Sequence, residues 1–511
     1  MTLETATSNA GSLPALLAAH HGLRAIGAPG EAWLDGAGLQ ILAGTTATGL
    51  NAHGIGRGDR VALVLPNGPC AATAFLAVAS CASAAPLNPA YKASEFEFYL
   101  GDLQPRAIII SEAEAGPVLD VAASLAIKLI ILRPVNGGSA GQFILDFSAI
   151  APAQARSPGL AQASDEALVL HTSGTTARPK IVPLSQANLA ASARHIATSL
   201  ALGPDDICLN VMPLFHIHGL VAACLASLAG QGSVSCTPGF NAFKFFGWLD
   251  QVKPSWYTAV PTMHQAILLR ARDDAPAPVG LRFIRSSSAS LPPQVMAALE
   301  QKFACPVIEA YGMTEAAHQM ASNRLPPGAR KPGSVGVAAG PEIAIRGADG
   351  FVGVGQTGEV VIRGPNVTAG YANNPTANDG AFIDGWFRTG DEGMLDADGY
   401  LFLTGRLKEM INRGGEKISP LEIDVSLLDH PAVAEACCFA IAHPVLGEEV
   451  AAVVVLREGM AASPLDLREF LAGKLAPFKV PRQIVISAAI PKGATGKVQR
   501  IGMAQRLGME A

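Results

Sequence analysis

Five short stretches of this chain concentrate residues able to handle phosphates and carboxylates. In His171-Thr172-Ser173-Gly174-Thr175-Thr176-Ala177-Arg178-Pro179-Lys180, four hydroxyls, a permissive glycine and a terminal cation fall within ten residues. A loop of that composition can aim backbone N–H groups and hydroxyls at a polyphosphate while its lysine offsets the charge. It is not a Walker A loop, because G-x-x-x-x-G-K-[ST] occurs nowhere in the chain. The bland alternative is an ordinary Ser/Thr/Gly turn, and Gly174, Pro179 and Lys180 at these offsets weigh against it. In Glu309-Ala310-Tyr311-Gly312-Met313-Thr314-Glu315, Tyr311 offers a face for a purine and Thr314 a hydroxyl for an α-phosphate. Glu315 offers a hard carboxylate for Mg²⁺ that already bridges phosphates. Taken alone, Thr-Glu after a turn is more often a helix start. The other three stretches end in Gly390-Asp391, run through residues 405–419, and close on Pro491-Lys492-Gly493-Ala494-Thr495-Gly496-Lys497. In isolation they read as a turn, a solvated linker and an exposed loop lysine.

Taken together and in this order, the five stretches resemble the signatures of the adenylate-forming superfamily of acyl-CoA synthetases, peptide-synthetase adenylation domains and luciferases. The resemblance covers nearly the whole chain. It implies an ATP site built from Thr172, Ser173, Gly174, Thr175, Thr176, Lys180, Glu309, Ala310, Tyr311, Gly312, Asp391, Arg406 and Lys417, with Mg²⁺ on Glu315. Asp391 would accept both ribose hydroxyls and Arg406 would hold the ribose. Lys408 would be a hinge pivot, and Gly414-Gly415 would let backbone approach the pantetheine of CoA. Thr314, Glu315 and Lys497 would be the catalytic set, with Lys497 reaching across a domain cleft. The chemistry needs that cation, since a carboxylate attacking an α-phosphate brings two anions together, and preorganised positive charge lowers such a barrier most. The implied reaction forms an acyl-adenylate and pyrophosphate, then passes the acyl group to the CoA thiol, with no protein nucleophile.

By the same resemblance, the acyl pocket is lined by residues 213–219, residues 285–290 and His318. Amino-acid-activating relatives carry an ammonium-binding aspartate where His216 stands here, which weighs against a carrier-protein-loading domain. His216, His218, Ser288 and His318 are donors suited to a second anionic or polar group. His218, beside Gly219, reads equally as a hydrogen-bonded core histidine. Residues 212–220, 256–262, 283–290, 315–320 and 364–368 are similar to the oxalate–CoA ligases, in which His318 and Ser288 would bind the distal carboxylate. One departure is Gly312, where that group often has alanine; it keeps malonate or a short or medium-chain fatty acid open. A luciferase-like oxidase would need a large aromatic pocket and O₂.

These residues need a scaffold. The 511-residue chain is 49% hydrophobic and only 15% charged, which favours a well-buried globule of two to four structural units. From Val61 to Ile308, short apolar strand-like runs alternate with helical ones, as expected of two βαβ-type parallel layers with covered faces. Beyond Pro326, short strands between Gly/Asp turns indicate a small β-rich subdomain, and from Gly405 a compact α+β unit follows. The expected fold is therefore α/β, with an N-terminal nucleotide and acyl-substrate domain (1–404) and a mobile C-terminal domain (405–511) hinged near 405–408. The run from Cys70 to Ala85 reads as one buried helix rather than a membrane span. A net charge of −5 gives no electrostatic case for nucleic acid. The eight cysteines show no C-x-x-C spacing, and Cys437-Cys438 read as packed small hydrophobes. With no signal-peptide pattern at Met1 and no peroxisomal address at the last residues, the expected location is the cytoplasm. The expected partners are small molecules: a carboxylate, ATP and CoA.

Overall fold

The computed structural model describes residues 11–114, 116–172, 179–271, 280–493 and 497–509. Ser173, Gly174, Thr175 and Thr176 of the phosphate loop, and 494–496 of the last loop, lie outside the described residues.

The described residues build four sheets. In the seven-stranded sheet, the strands Lys128–Pro134, Ala107–Ser111, Arg60–Val64, Ser83–Pro86 and Glu166–His171 run parallel, with antiparallel partners at both edges. One of these edges is Ile181–Ser185, so the phosphate loop joins two antiparallel neighbours, Glu166–His171 and Ile181–Ser185. In the eight-stranded sheet, six parallel strands end with Trp256–Ala259, Phe283–Ser287 and Val307–Met313. The chain then reverses into His318–Ser322, antiparallel to Val307–Met313. The helices Pro69–Ala79 and Gln186–Ser199 and the π-helical turn His218–Leu225 pack between the two layers in one hydrophobic core. Gln186–Ser199 starts at a capping box in which Ser185 and Asn188 satisfy each other's backbone N–H groups.

A five-stranded antiparallel sheet follows, ending in Leu401–Arg406 paired with Trp386–Leu395. The C-terminal unit is a sheet centred on Gly447–Leu456 and Val433–His443, covered by the helices Pro420–Leu428 and Pro464–Ala472. Cys437 and Cys438 are buried free thiols in its two core faces, as packed small hydrophobes should be.

Two elements differ from expectation. The Cys70–Ala85 run is not one helix: it stops at Ala79, and Ser83–Pro86 is a central strand between Arg60–Val64 and Glu166–His171. Small residues with little intrinsic strand preference take that place because pairing and burial on both sides decide it. The strand expected to end at Ile308 runs on to Met313, because Glu309 to Met313 keep pairing, first with Phe283–Ser287 and then with His318–Ser322. The Glu309–Gly312 motif is thus strand and not loop.

Candidate active site

A cleft of about 1420 Å³ opens between the large region and the C-terminal unit. It gathers most of the expected residues from distant parts of the chain: Thr172, Lys180, Ser288, Glu309, Ala310, Tyr311, Gly312, Thr314, Glu315, Asp391, Arg406, Lys408 and Lys497. Gly414, Gly415 and Lys417 sit outside it, exposed on the hairpin Ile411–Arg413/Glu416–Ile418, where both glycines take positive φ. Within the 405–419 stretch, two residues that a solvated linker would leave free are tied down. Arg413 binds Glu449 through both Nε and Nη2, and Glu409 pairs with Arg500 at 3.3 Å.

Two carboxylates anchor the cleft. Asp391 accepts from Tyr311 Oη–H and, at 2.7 Å, from Arg406 Nε. That fixed acid leaves Arg406 held well above its ordinary value, chiefly by the Asp391 charge. Glu315 sits in the one-turn helix Thr314–Ala316 and accepts from Tyr371 Oη–H at 2.9 Å. Burial pushes its acidity down, raising the pKa against the pull of Tyr371, Arg406 and Lys180. The Lys180 ammonium lies 4.3 Å from the centre of the Tyr371 ring and shares the site with Lys408, so burial and repulsion both lower its pKa. At the foot of the phosphate loop, the Thr172 N–H donates to the Lys180 carbonyl at 2.9 Å, and the Lys180 N–H donates to Thr172 Oγ1 at 3.1 Å. Lys497 enters from the C-terminal unit. Burial and the Arg406 charge push its pKa down to about 8, opposed by Asp391 and Glu315.

Glu309 has a structural task. Its Oε1 accepts the Leu291 N–H at 2.8 Å, while Oε2 is buried with no hydrogen-bond partner among the described residues, and burial pushes the carboxyl up to about 8. Raised in the fold from about 4.5, the group stabilises fully below pH 4.5, and that contribution is lost as pH rises to about 8. Glu309→Gln, neutral at every pH, should therefore gain on the wild type by up to about 5 kcal/mol over this window. Urea midpoints at pH 5 and pH 9 check it; a gap independent of pH would contradict it.

Behind Ser288 lies a buried basic cluster that does not itself line the cleft. His218, first residue of the π-helical turn, has both ring nitrogens engaged: Nδ1 with Ser288 Oγ at 3.0 Å and Nε2 with Thr258 Oγ1 at 2.6 Å. Both nitrogens are thus engaged as in a hydrogen-bonded core histidine, and its partner Ser288 opens on the cleft. The His318 ring lies 4.9 Å from that of His218. Among the described residues, His216 Nε2 and His318 Nε2 are buried without partners. Burial lowers all three histidines, His216 to about 3, so all are neutral near pH 7. Two backbone features aim these groups: Ser288 at φ +75° and the left-handed pair Ala317 (+47°) and His318 (+96°). Such non-glycine conformations cost energy and persist only where neighbours enforce them. Asn366 enforces the second, donating to both Ala316 O (2.8 Å) and Gln319 O (3.0 Å) across the turn. Gly312 is equally constrained, since any Cβ there would overlap the His318 carbonyl. Its glycine therefore answers to this turn and says nothing about the acid.

Sequence reasoning gave no individual role to Thr258, Gln319, Asn366 or Tyr371, and it placed Arg285 along the acyl pocket only as part of the 285–290 stretch. The Arg285 guanidinium is 0% exposed, and no carboxylate pairs with it among the described residues. A lone arginine inside the apolar run Phe283-Ile284-Arg285 was the available signal.

Among the described residues, no helix is long and apolar enough to cross a membrane. The chain is 46% identical over 461 residues to an oxalate–CoA ligase of Arabidopsis thaliana, covering 88% of this chain and 89% of that one. It is 41% identical over 472 residues to an oxalate–CoA ligase of Saccharomyces cerevisiae, covering 87% and 86%. The crystal structure of ATP-bound MatB from Rhodopseudomonas palustris superposes with a TM-score of 0.86 at 29% identity, over 98% of this chain and 99% of that one. Residues 16–372 match the AMP-binding enzyme family and residues 422–497 its C-terminal domain, and the chain belongs to that family of enzymes.

Proposed function

We propose that this protein is an ATP-dependent carboxylate–CoA ligase that works through an acyl-adenylate, and that its acid is oxalate. The observation that carries the reaction type is the convergence, in one cleft, of Lys497 from the C-terminal unit with the anchored carboxylates Glu315 and Asp391. The oxalate assignment is supported by the two named relatives and by an acyl end that, among the described residues, offers buried donors and no carboxylate.

In this reading Asp391, held by Tyr311 and Arg406, accepts the ribose hydroxyls, and the phosphate loop with Lys180 takes the β- and γ-phosphates. Thr314 donates to the α-phosphate. Glu315 suits Mg²⁺: its carboxylate is buried, and among the described residues no cluster of three His, Cys, Asp or Glu could hold a metal without help from phosphates. Bound there, Mg²⁺ would neutralise charge on the phosphates. Lys497 binds the attacking carboxylate and the α-phosphoryl oxygens together. A carboxylate oxygen then bonds to the α-phosphorus as pyrophosphate leaves. In the second step the C-terminal domain (405–511) rotates against the N-terminal domain (1–404) about Lys408 and withdraws Lys497. The CoA thiol then attacks the acyl carbon, losing its proton and releasing AMP, with Gly414-Gly415 and Lys417 turned to the CoA side. We place the enzyme in the cytoplasm, where ATP and CoA are supplied and the eight free cysteines stay reduced.

The test is AMP formation with oxalate, malonate, acetate, butyrate, hexanoate and decanoate, each with and without CoA. CoA-dependent turnover on oxalate far above the rest is expected, and His318→Ala should cost oxalate about a hundredfold while sparing any butyrate activity. Preferred turnover on a monocarboxylate would overturn the oxalate assignment and leave the adenylation mechanism standing.

A further inference from the structure

Among the described residues, the acyl end holds one cation with no carboxylate partner and two polar branches that start from it. Arg285 Nη2 donates to Gln319 Oε1 at 3.2 Å and to His318 Nδ1 at 3.5 Å, and Nη1 donates to Thr258 Oγ1 at 3.5 Å. A guanidinium has donors only. His318 Nδ1 must therefore accept, which leaves its proton on Nε2, the buried nitrogen with no partner. On the other branch Thr258 accepts from Arg285 and stands 2.6 Å from His218 Nε2. The Thr258 hydroxyl is fully buried, and His218 is the one neighbour able to take its hydrogen among its described contacts. Thr258 therefore donates to His218 Nε2, the His218 proton sits on Nδ1, and it is given to Ser288 Oγ at 3.0 Å. Ser288, on the cleft wall, keeps its own hydrogen to donate.

We propose that Arg285 is the positioning residue of the acyl end: it sets the tautomers of His218 and His318 so that Ser288 Oγ–H and His318 Nε2–H are both left as donors for a second carboxylate on the substrate. This rests on the dicarboxylate reading above and adds the device that enforces it. Two donors backed by a buried positive charge select an anion: Ser288 Oγ–H on the cleft wall and, buried behind it, His318 Nε2–H, which no described residue takes up. A buried charge without a partner is a standing cost that packing alone does not repay, and such local violations are retained at functional sites. An apolar acyl tail would meet the same donors unsatisfied and be rejected.

Wild type, Arg285→Met and Arg285→Lys, each with ¹⁵N-labelled histidine, test this without turnover. Near pH 7.5 the wild type should show His318 as the Nε2–H tautomer and His218 as the Nδ1–H tautomer, and Arg285→Met should lose that fixed assignment. In kinetics, Arg285→Met should lower kcat/KM for oxalate by about a hundred- to a thousandfold, with the KM for ATP changed less than about twofold and any butyrate activity spared. Arg285→Lys, which keeps the charge and loses the fork, should fall between. Wild-type spectra with either histidine in the other tautomer would overturn the proposal even if Arg285→Met does not fold. So would equal losses on oxalate and butyrate in a variant that retains its ATP affinity. If the wild type itself prefers butyrate, the oxalate reading fails, and the tautomer spectra still decide the role of Arg285.

Discussion

Replacing Lys497 with alanine is expected to slow oxalate-dependent pyrophosphate release by about 10³-fold or more, while acyl transfer to CoA from supplied acyl-adenylate proceeds at close to the wild-type rate. The asymmetry follows from where the lysine stands. In the first step it shares the cleft with Glu315, Asp391 and Arg406, where the carboxylate and α-phosphate must meet. In the second step no anion attacks phosphorus. The pH profile carries an independent signature. In the proposed reaction Lys497 works as a cation, and burial brings its pKa down from 10.5 to about 8, so that form is populated below pH 8 and lost above it. For the first half-reaction kcat/KM should therefore fall on an alkaline limb near pH 8, and that limb should move upward in kcat, when the bound anions hold the proton on. Lys497→Arg should remove the limb from whatever activity it keeps. Adenylation by Lys497→Ala within tenfold of the wild type would refute the role.

The second large effect concerns the two-conformation cycle. Gln294, on the helix Pro293–Phe303 of the large region, donates to Asp429 at the end of Pro420–Leu428 in the C-terminal unit, and Gln265 reaches Ala434 O at 3.4 Å nearby. Both contacts tie the C-terminal unit to the large region in the arrangement that inserts Lys497. Cysteines at 294 and 429 joined by a short cleavable bismaleimide should leave acyl-adenylate formation within a few-fold of the uncoupled protein. The CoA step should fall by about 10³-fold, because the domain can no longer withdraw the lysine. Cleaving the linker should restore it. An undiminished CoA step in the linked protein would mean that one arrangement serves both reactions.

The gathering of Thr172, Lys180, Glu315, Asp391, Arg406 and Lys497 in one cleft was legible in the sequence because they lie in contiguous runs whose hydroxyls, acids and lysines read as chemistry in order. The sheets were legible too, since apolar runs such as Ala107–Ile110 mark buried strands without outside help. What stayed hidden depends on contacts between remote segments. Tyr371 gains its meaning only by meeting Glu315 and Lys180, and Asn366 only by bridging a turn some fifty residues earlier. The Ser83–Pro86 strand has no β-forming side chains, and its neighbours impose the conformation. Arg285 was visible as a letter but not as a charge without a counterpart, because partnerlessness is a property of the surroundings.

The turn at residues 312–318 has a consequence for how such a site can change. Position 312 must lack a side chain because of the path of the His318 backbone, that path needs two left-handed residues, and Asn366 clamps them from another loop. None of these four can drift alone. An alanine at the first position requires the backbone of this turn to move away to admit the methyl group. Diversification here should thus be punctuated: blocks of co-inherited residues exchanged together, with no viable intermediates between them.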